Sequence, residues 1–438
     1  MDRIGYVIPE FPGQTHTWIW RELCHLREWG VAVTIFSTRR PDPAMRAAHA
    51  FVAEAERETI FVWPPRLVPA ATALLWAVVS HPMGLLRCIR LGLTLPVDER
   101  PAVRTVLPLL VPACVLAREA ARRGLERLHA HTCANGAILC MMARRLIGIP
   151  FSMTLNAQLP IWGGAMAQKF ADAQFTIAIT QWLLDDVKRE CPHLGPDQVM
   201  LGRIGVDTRK WAPAAERAAP AAGPLRLLTV ARLHWAKGHT YLLRATKQLV
   251  DAGMDVTLRI AGNGAERERL EALTAELRLG ERVQFLGPLP EDAVIRELSE
   301  TDVFVLASDA EPLGVAYMEA MAMAVPTLGT AAGGVAEIIT DGIDGVLVPP
   351  KDPAALADAL RALIADPERR QCIGQAGRET IVRRFDSRLG AATLYEHLFH
   401  RPPRVSPEAP TSTPAHVSCD QAKVGPDWDE LIGEGLAH

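Results

Sequence analysis

The 438-residue sequence has no C-x-x-C pair among its eight cysteines, which lie singly among apolar neighbours, as in Leu139-Cys140-Met141. That usage fits a reducing compartment and argues against a disulfide framework. A basic excess is also missing. Lys and Arg number 47 against 50 Asp and Glu, a formal net charge of −3, so no nucleic-acid partner is expected. The opening residues, MDRIGYVIPEF, lack a basic region followed by a long apolar core and a cleavage site, so no signal peptide is expected. The longest nearly uncharged apolar stretch, Leu67 to Leu86, is interrupted by Pro69, His81 and Pro82 and breaks the roughly 20-residue run that a membrane span needs. No repeat occurs at solenoid spacing. These absences lead to the expectation of a cytoplasmic protein. With 49% hydrophobic residues, the chain can build ample cores, and its length suits two domains plus extras.

The most informative stretch is Ala310 to Thr327, AEPLGVAYMEAMAMAVPT. The apolar run before it, Val303 to Ala307, is β-branched and aromatic and reads as a buried strand. Leu, Met and Ala then dominate Val315 to Met323, a helix that Pro326 ends. Glu311 lies in the intervening loop. Glu319 follows eight residues later, a little over two turns, which puts the two on roughly one side. The helix start leaves backbone N–H groups free near Leu313, Gly314 and Val315. Two acceptors for hydroxyls beside a cradle for anionic oxygens describe a site for a phosphorylated, polyhydroxylated ligand. Two glutamates near a helix are ordinarily a solvated face, but the residues around these are apolar and small.

Upstream, Ile4 to Ile8 reads as a strand and Pro9 to Gln14 as the loop after it. A helix capped by Thr15 or Thr17 runs to Trp29, with Gly30 in the C-cap place, and Val31 to Ser37 alternates as the next strand. Strand, glycine loop, helix, strand is a βαβ unit and predicts an α/β protein with a parallel sheet. Gly13 is where that loop's backbone can approach a phosphate closely, although a lone loop glycine is often only a turn. Residues 62–121 are rich in Leu, Ala and Val, with Trp63, Trp76 and Arg66, Arg87, Arg90, Arg100 and Arg104 interleaved. The favoured reading is helices packed on the sheet. The other is an amphipathic surface resting on anionic lipid, with Trp at the interface. On an extended segment His129, His131 and Cys133 share one face, which raises the question of a metal site. No further ligand pair sits at suitable spacing, so no metal is expected.

Trp211 to Pro224, WAPAAERAAPAAGP, lacks periodicity and reads as a linker. Leu225 to Val230 starts a second α/β unit. The loop after it holds Arg232 and Lys237-Gly238, and a helix follows from His239 to Asp251, so cations and helix N–H groups surround a place for an anion. Val256 to Ile260 followed by Ala261-Gly262-Asn263-Gly264 repeats the strand and glycine turn without the full dinucleotide fingerprint. Pro402 to His438, with its prolines, Ser and Thr, reads as a disordered tail.

Glu311, seven residues, Glu319, then Ala-Met-Ala, Pro326, Gly333-Gly334 and Glu337 resemble the C-terminal signature of family four retaining glycosyltransferases. Asp341-Gly342-x-x-Gly345 and Val346 to Pro350 complete that pattern, and the opening strand, loop and helix resemble those of exopolysaccharide (colanic-acid type) glycosyltransferases. Ala324 departs from the pattern, since the family usually has Gly before the Pro. The resemblance covers nearly all of residues 1–400, specifically in the second half and more loosely in the first.

It implies the GT-B fold: two Rossmann-like, doubly wound parallel-sheet domains facing across a cleft. Residues 1–210 would form the acceptor side, 211–224 the linker, 225–384 the nucleotide-sugar domain and 385–401 a helix crossing back, with 402–438 the tail. The implied reaction moves a sugar from a nucleotide diphosphate donor to a saccharide or lipid-linked saccharide acceptor, with retention and with no cofactor beyond the donor. No D-x-D motif stands in a context that calls for a metal. Arg232 and Lys237 would bind the donor diphosphate with Gly13, Gly262, Gly314 and Val315 close by. Glu311 would hold the donor sugar hydroxyls, Glu319 the ribose, and His131, at the end of its strand, the reacting region. A second family histidine is replaced by Asn156, which hydrogen-bonds a sugar but takes up no proton. Residues 62–121 would wall the acceptor site; on the amphipathic reading of their composition they would also make a peripheral contact with the inner face of the plasma membrane. Two alternatives share the fold: a nucleotide-sugar epimerase, for which Glu10 is the obvious loop carboxylate, and a non-catalytic nucleotide-sugar-binding subunit of a polysaccharide assembly complex.

Overall fold

The computed structural model describes residues 2–13, 17–41, 49–98, 101–213 and 223–403. Two parallel sheets carry the fold. The first contains β1 (Arg3–Glu10), β2 (Ala32–Arg39), β3 (Ile60–Phe61), β4 (Arg127–Ala130), β5 (Phe151–Leu155), β6 (Thr176–Ala178) and β7 (Val199–Leu201), in the order β3-β2-β1-β4-β5-β6-β7. The second contains β8 (Leu225–Val230), β9 (Val256–Ala261), β10 (Val283–Gly287), β11 (Val303–Leu306), β12 (Thr327–Thr330) and β13 (Val346–Val348), in the order β10-β9-β8-β11-β12-β13. In each sheet the chain winds outward from its first strand, returns, and winds the other way. The reversals fall between β1 and β4 and between β8 and β11, where such sheets open a crevice beyond their carboxyl ends. Helices cover both faces, so central strands are apolar throughout rather than alternating. FSMTL of β5 and VFVL of β11 are buried at every position. These are the two Rossmann-like domains that the resemblance implied.

The helix Ser387–Phe399 returns from the second domain to the first. Its Ala391, Leu394, Tyr395 and Leu398 pack in one core with Ile19, Leu23 and Leu26 of the helix Thr17–Glu28 and with Trp29 just after it. The return is pinned by backbone: Val206 N donates to Phe385 O and Ser387 N donates to Val206 O, both at 2.9 Å. Gly205 permits that approach, because a Cβ there would collide with the Phe385 carbonyl.

One sequence boundary shifts. Trp211, read as linker, is 1% exposed, with the Arg21 guanidinium 5.6 Å from its ring centroid and its carbonyl accepting from Arg378. It therefore belongs to the packed joint between the domains, and the rest of the proposed linker falls largely on 214–222, outside the described residues. The tail from 404 onward also lies outside them. Residues 62–121 form the helices Leu67–Ser80, Pro82–Thr94, Ala102–Thr105 and Leu110–Arg123. The last is a core helix, with Ala113, Cys114, Leu116 and Ala117 fully buried.

The domains meet in a second place. The Glu337 carboxylate accepts from Gln181 N and Trp182 N, each at 2.8 Å, at the start of the helix Gln181–Glu190. A carboxylate on orphan amides at a helix N-terminus is favoured by both hydrogen bonding and the helix dipole. Arg203 stands 3.7 Å from the same carboxylate. Gly333 and Gly334 make room for this contact: added Cβ atoms would strike the Glu311 and Pro312 carbonyls and press on Trp182 and Thr180. The glycine pair of the signature thus serves domain contact.

The departure at Ala324 also finds its reason. Ala324 sits at φ 55°, in the left-handed region, after the helix Val315–Ala322. Glycine enters that region without a Cβ clash, and Ala enters it at a cost of roughly 1–2 kcal/mol. Ala324→Gly is expected to raise unfolding stability by about 0.5–1 kcal/mol once the extra chain entropy of Gly is set against the relieved strain. Urea denaturation checks this, and an unchanged or lower midpoint would contradict it.

Candidate active site

The loops after β8 and β11 face each other at the switch point of the second sheet. After β8 come Ala231, Arg232 and Leu233, then a short 3-10 turn, Trp235–Lys237, and the helix His239–Asp251. Gly238, at φ 64°, lets this loop touch the other, because a Cβ would overlap the Ala307 carbonyl. Asp309 N donates to Ala236 O at 2.9 Å and ties the loops together. Lys237 and Glu311 consequently meet: Lys237 Nζ is ion-paired with Glu311 Oε2, and Ser308 Oγ donates to the same oxygen at 3.4 Å. Glu311 is 6% exposed. The carboxylate assigned to sugar hydroxyls and the ammonium assigned to phosphate are thus one preassembled pair at the start of the helix Val315–Ala322, whose first-turn amides at Gly314 and Val315 have no carbonyl before them in the helix. Gly314 takes φ 97°, and Tyr317 OH donates to Leu306 O at 2.6 Å, locking the helix onto β11. Arg232 is exposed on the rim and has no ionic partner among the described residues.

Gly262 packs one loop against another. At φ 138° its missing Cβ leaves space that the Ala231 carbonyl occupies, and Gly264 does the same for Leu233. Both glycines pack the loop after β9 on the loop after β8, on either side of Arg232. Gly13 is buried at the end of the loop after β1, and the residues that follow it, 14–16, lie outside the described structure.

Glu319 does not share a network with Glu311. Arg21, on the helix Thr17–Glu28 of the first domain, lies 3.4 Å from Glu319 and is also paired with Glu291. Lys210 approaches Glu291 at 2.9 Å. Burial works against ionisation of Glu291, but Arg21 and Lys210 together hold its carboxyl below the usual range. Glu319, with the longer contact, fares differently: burial pushes it up to about 7, Arg21 opposes the rise and the Glu291 charge adds to it. A ribose reaching Glu319 would therefore compete with a cation from the other domain. Neither Arg21 nor Glu291 was legible as a site residue, because their pairing spans 270 positions in sequence.

His131 follows β4 at the switch point of the first sheet, but its ring is fully buried, not on the cleft surface. The edge of Trp18 covers it at 4.5 Å between centroids. Its Nε2 is 3.1 Å from Glu22 Oε1, to which Tyr6 OH also donates at 2.9 Å, while Nδ1 has no partner among the described residues. His129 sits behind, its nitrogens 2.8 and 2.9 Å from the Ser152 and Thr154 hydroxyls, and burial holds it well below its usual pKa. Glu22, His129 and His131 bring one ligand atom each within 4.8 Å of one another. Both nitrogens of His129 and one oxygen of Glu22 are, however, already engaged by hydroxyl groups, so the donor set closes on itself as a hydrogen-bond network. Cys133, considered with the histidines, turns instead to Thr154 O at 3.7 Å. Glu22 escaped the sequence reading, although an acid four residues after Trp18 in the buried stripe of Ile19, Leu23 and Leu26 is a visible signal. Asn156 is half-buried just after β5, with its Oδ1 buried and unpartnered. Glu10 is ion-paired with Arg39.

Two facing doubly wound domains, with a cationic loop and a paired glutamate at the second switch point, define the GT-B class. Residues 215–380 match the family model described as glycosyl transferases group 1. The chain is 30% identical over 298 residues to alpha-maltose-1-phosphate synthase of Mycolicibacterium smegmatis, a match covering 59% of this chain and 74% of that one. It is 35% identical over 181 residues to a putative colanic acid biosynthesis glycosyltransferase, WcaL of Escherichia coli, covering 40% of this chain and 43% of that one. This last match, like others to mycobacterial glycogen synthase, spans less than half of the relative's length. In fold the chain is similar to sucrose-phosphate synthase from Thermosynechococcus elongatus (TM-score 0.71, 21% identity, 91% of this chain and 100% of that one). It is likewise similar to HepE from Anabaena in complex with UDP and glucose (TM-score 0.69, 17% identity, 91% and 99%). The chain belongs to the glycosyltransferase group 1 family.

Glu319 gives a pH signature. Its carboxyl titrates at about 7 in the folded chain against 4.5 ordinarily, so the folded state binds the proton more tightly. Stability contributed by this group is then present at low pH and is lost as pH rises through that window. Relative to Glu319→Gln, the wild-type melting temperature is expected to fall between pH 4.5 and 7 and to level off above. Parallel profiles for the two proteins would show that Glu319 titrates normally.

Proposed function

We propose that the chain is a retaining, metal-independent hexosyltransferase. It moves a sugar from a nucleotide diphosphate donor to a saccharide or lipid-linked saccharide acceptor in exopolysaccharide or cell-surface glycan synthesis. The reading places it in the cytoplasm, at the inner face of the plasma membrane. The observation that carries it is the Lys237–Glu311 pair beside the helix start at Gly314, with Arg232 on the same rim and without an ionic partner among the described residues. That arrangement suits a ligand that is anionic at one end and polyhydroxylated at the other. In the reaction the anomeric C–O bond to the diphosphate breaks and a new one forms to an acceptor hydroxyl, whose proton leaves with the diphosphate. Arg232, Lys237 and the helix amides would neutralise the departing oxygens, groups already oriented before the charge develops. Glu311 would hold the sugar hydroxyls, and the unpartnered Asn156 Oδ1 offers an acceptor for a further hydroxyl. Cross-domain pairs close the cleft and would exclude water from the cation-like sugar.

Retention rests on the resemblance to family four and on the match to the group 1 family. Cell-surface glycan synthesis rests on the likeness to the colanic acid enzyme. The epimerase alternative has only Glu10 as its loop carboxylate, which is ion-paired with the exposed Arg39.

A thermal-shift titration with UDP, GDP and ADP is the direct test. A nucleotide present at about a hundred times its dissociation constant should add roughly 2.7 kcal/mol of stability, and Arg232→Ala should abolish the response. Glu319→Ala is expected to weaken nucleotide binding, and Glu311→Ala to lower turnover chiefly. No response to any nucleotide, or wild-type activity in both glutamate variants, would sink the assignment.

A further inference from the structure

Large apolar side chains on the surface are unevenly distributed. Of the fourteen that are exposed among the described residues, ten lie between Trp63 and Leu93. The helix Leu67–Ser80 is built inside out. Ala73 and Ala77 face the protein, while Leu67, Val68, Leu75, Val78 and Val79 face away, at 88%, 74%, 63%, 49% and 71% exposure. At 100° per residue these five share one face. The next helix, Pro82–Thr94, buries Gly84, Cys88, Leu91 and Gly92 and exposes Met83, Leu86 and Leu93. A soluble helix places its larger apolar residues inward, and patches this concentrated mark a docking surface.

Charge identifies the occupant. From Thr59 to Val97 the chain has no Asp or Glu but carries Arg66, Arg87 and Arg90. All three are exposed, without an ionic partner among the described residues. Two copies of the chain joined through this face would bring like charges together around their symmetry axis. Anionic lipid headgroups supply the opposite charge, with acyl chains for the apolar side chains.

No helix among the described residues is long and apolar enough to cross a membrane, and these two meet at 113°. The second is fastened to the helix Asn135–Ile147: a Cβ on Gly84 would collide with Arg145 and Leu146, and Cys88 Sγ donates to Met142 O at 3.3 Å. The pair is therefore shaped to lie on a bilayer. Its exit leads to the cleft rim, where Val97 bridges to Gly164 in the loop after β5 and Ile161 in that loop is 62% exposed.

We propose that the helix pair Leu67–Ser80 and Pro82–Thr94 docks the protein on the surface of an anionic lipid bilayer. The inference deepens the proposed function by naming the partner beside its acceptor side. It rests on that reading for its purpose, while its measurement needs no turnover.

Flotation of the full chain tests it, with vesicles of phosphatidylcholine alone and of phosphatidylcholine mixed with phosphatidylglycerol. Binding to the anionic vesicles should exceed binding to the neutral ones by at least about tenfold and should weaken with salt. Leu75→Asp combined with Val79→Asp should abolish binding to both. Arg87→Gln combined with Arg90→Gln should abolish the anionic preference alone. Unchanged melting temperatures in the variants establish that they fold. The proposal is overturned if the wild type stays unbound at every composition, or if the aspartate variant floats like the wild type. A concentration-dependent dimer lost in that variant, without vesicle binding, would assign the face to a second copy and overturn it too. Vesicle binding that persists while no nucleotide shifts the melting temperature would retire the donor reading and leave the docking surface standing.

Discussion

The close approach of the two domains is the constraint on which the rest of the structure depends. Each sheet reverses its winding once and opens a crevice there, but neither crevice is a site until the other faces it. Backbone meets backbone at Gly205 with Phe385, and Gly333-Gly334 lies against Thr180 and Trp182. Glu337 then places its charge on the first amides of a helix in the opposite domain. Contacts of this kind need glycine on one side and an exposed helix start on the other. This is a reason for glycines to cluster in the signature.

Charge is handled by pairing across short gaps. Lys237 and Glu311 neutralise each other at the second switch point, so a site with nearly buried charges is stable before any ligand arrives. Arg21 serves two carboxylates and satisfies them unequally: Glu291 stays ionised, whereas Glu319 titrates near neutrality. In the first domain, His131 and Tyr6 converge on Glu22 beneath Trp18, a buried polar network that orders the region behind the cleft. A histidine expected at the reacting sugar therefore acts, in this arrangement, on the positions of Glu22 and Trp18.

The helices after β3 put their apolar residues to opposite uses. Leu110–Arg123 buries its apolar residues as the favoured reading of residues 62–121 required. Leu67–Ser80, LVPAATALLWAVVS, carries no charged residue and turns its larger side chains outward. Sequence periodicity orients the first, whose Arg118, Glu119, Arg122 and Arg123 mark its outer side, but not the second, because a nearly all-apolar helix has no polar face to say which side is out.

The sequence by itself determined the strand and helix order, since apolar runs, glycine turns and helix caps are local signals. His239–Asp251 and the helix beginning at Val315 are read within a residue or two for that reason. It also marked Arg232, Lys237, Glu311 and Glu319, because each lies within a few residues of a strand end or helix start. Tertiary structure alone decided which charges meet. Arg21 with Glu291, and Glu337 with the amides of Gln181 and Trp182, join residues more than 150 positions apart. The burial of His131 and Trp211 was likewise settled only by packing, which depends on what the opposite domain brings and not on the neighbours in the chain.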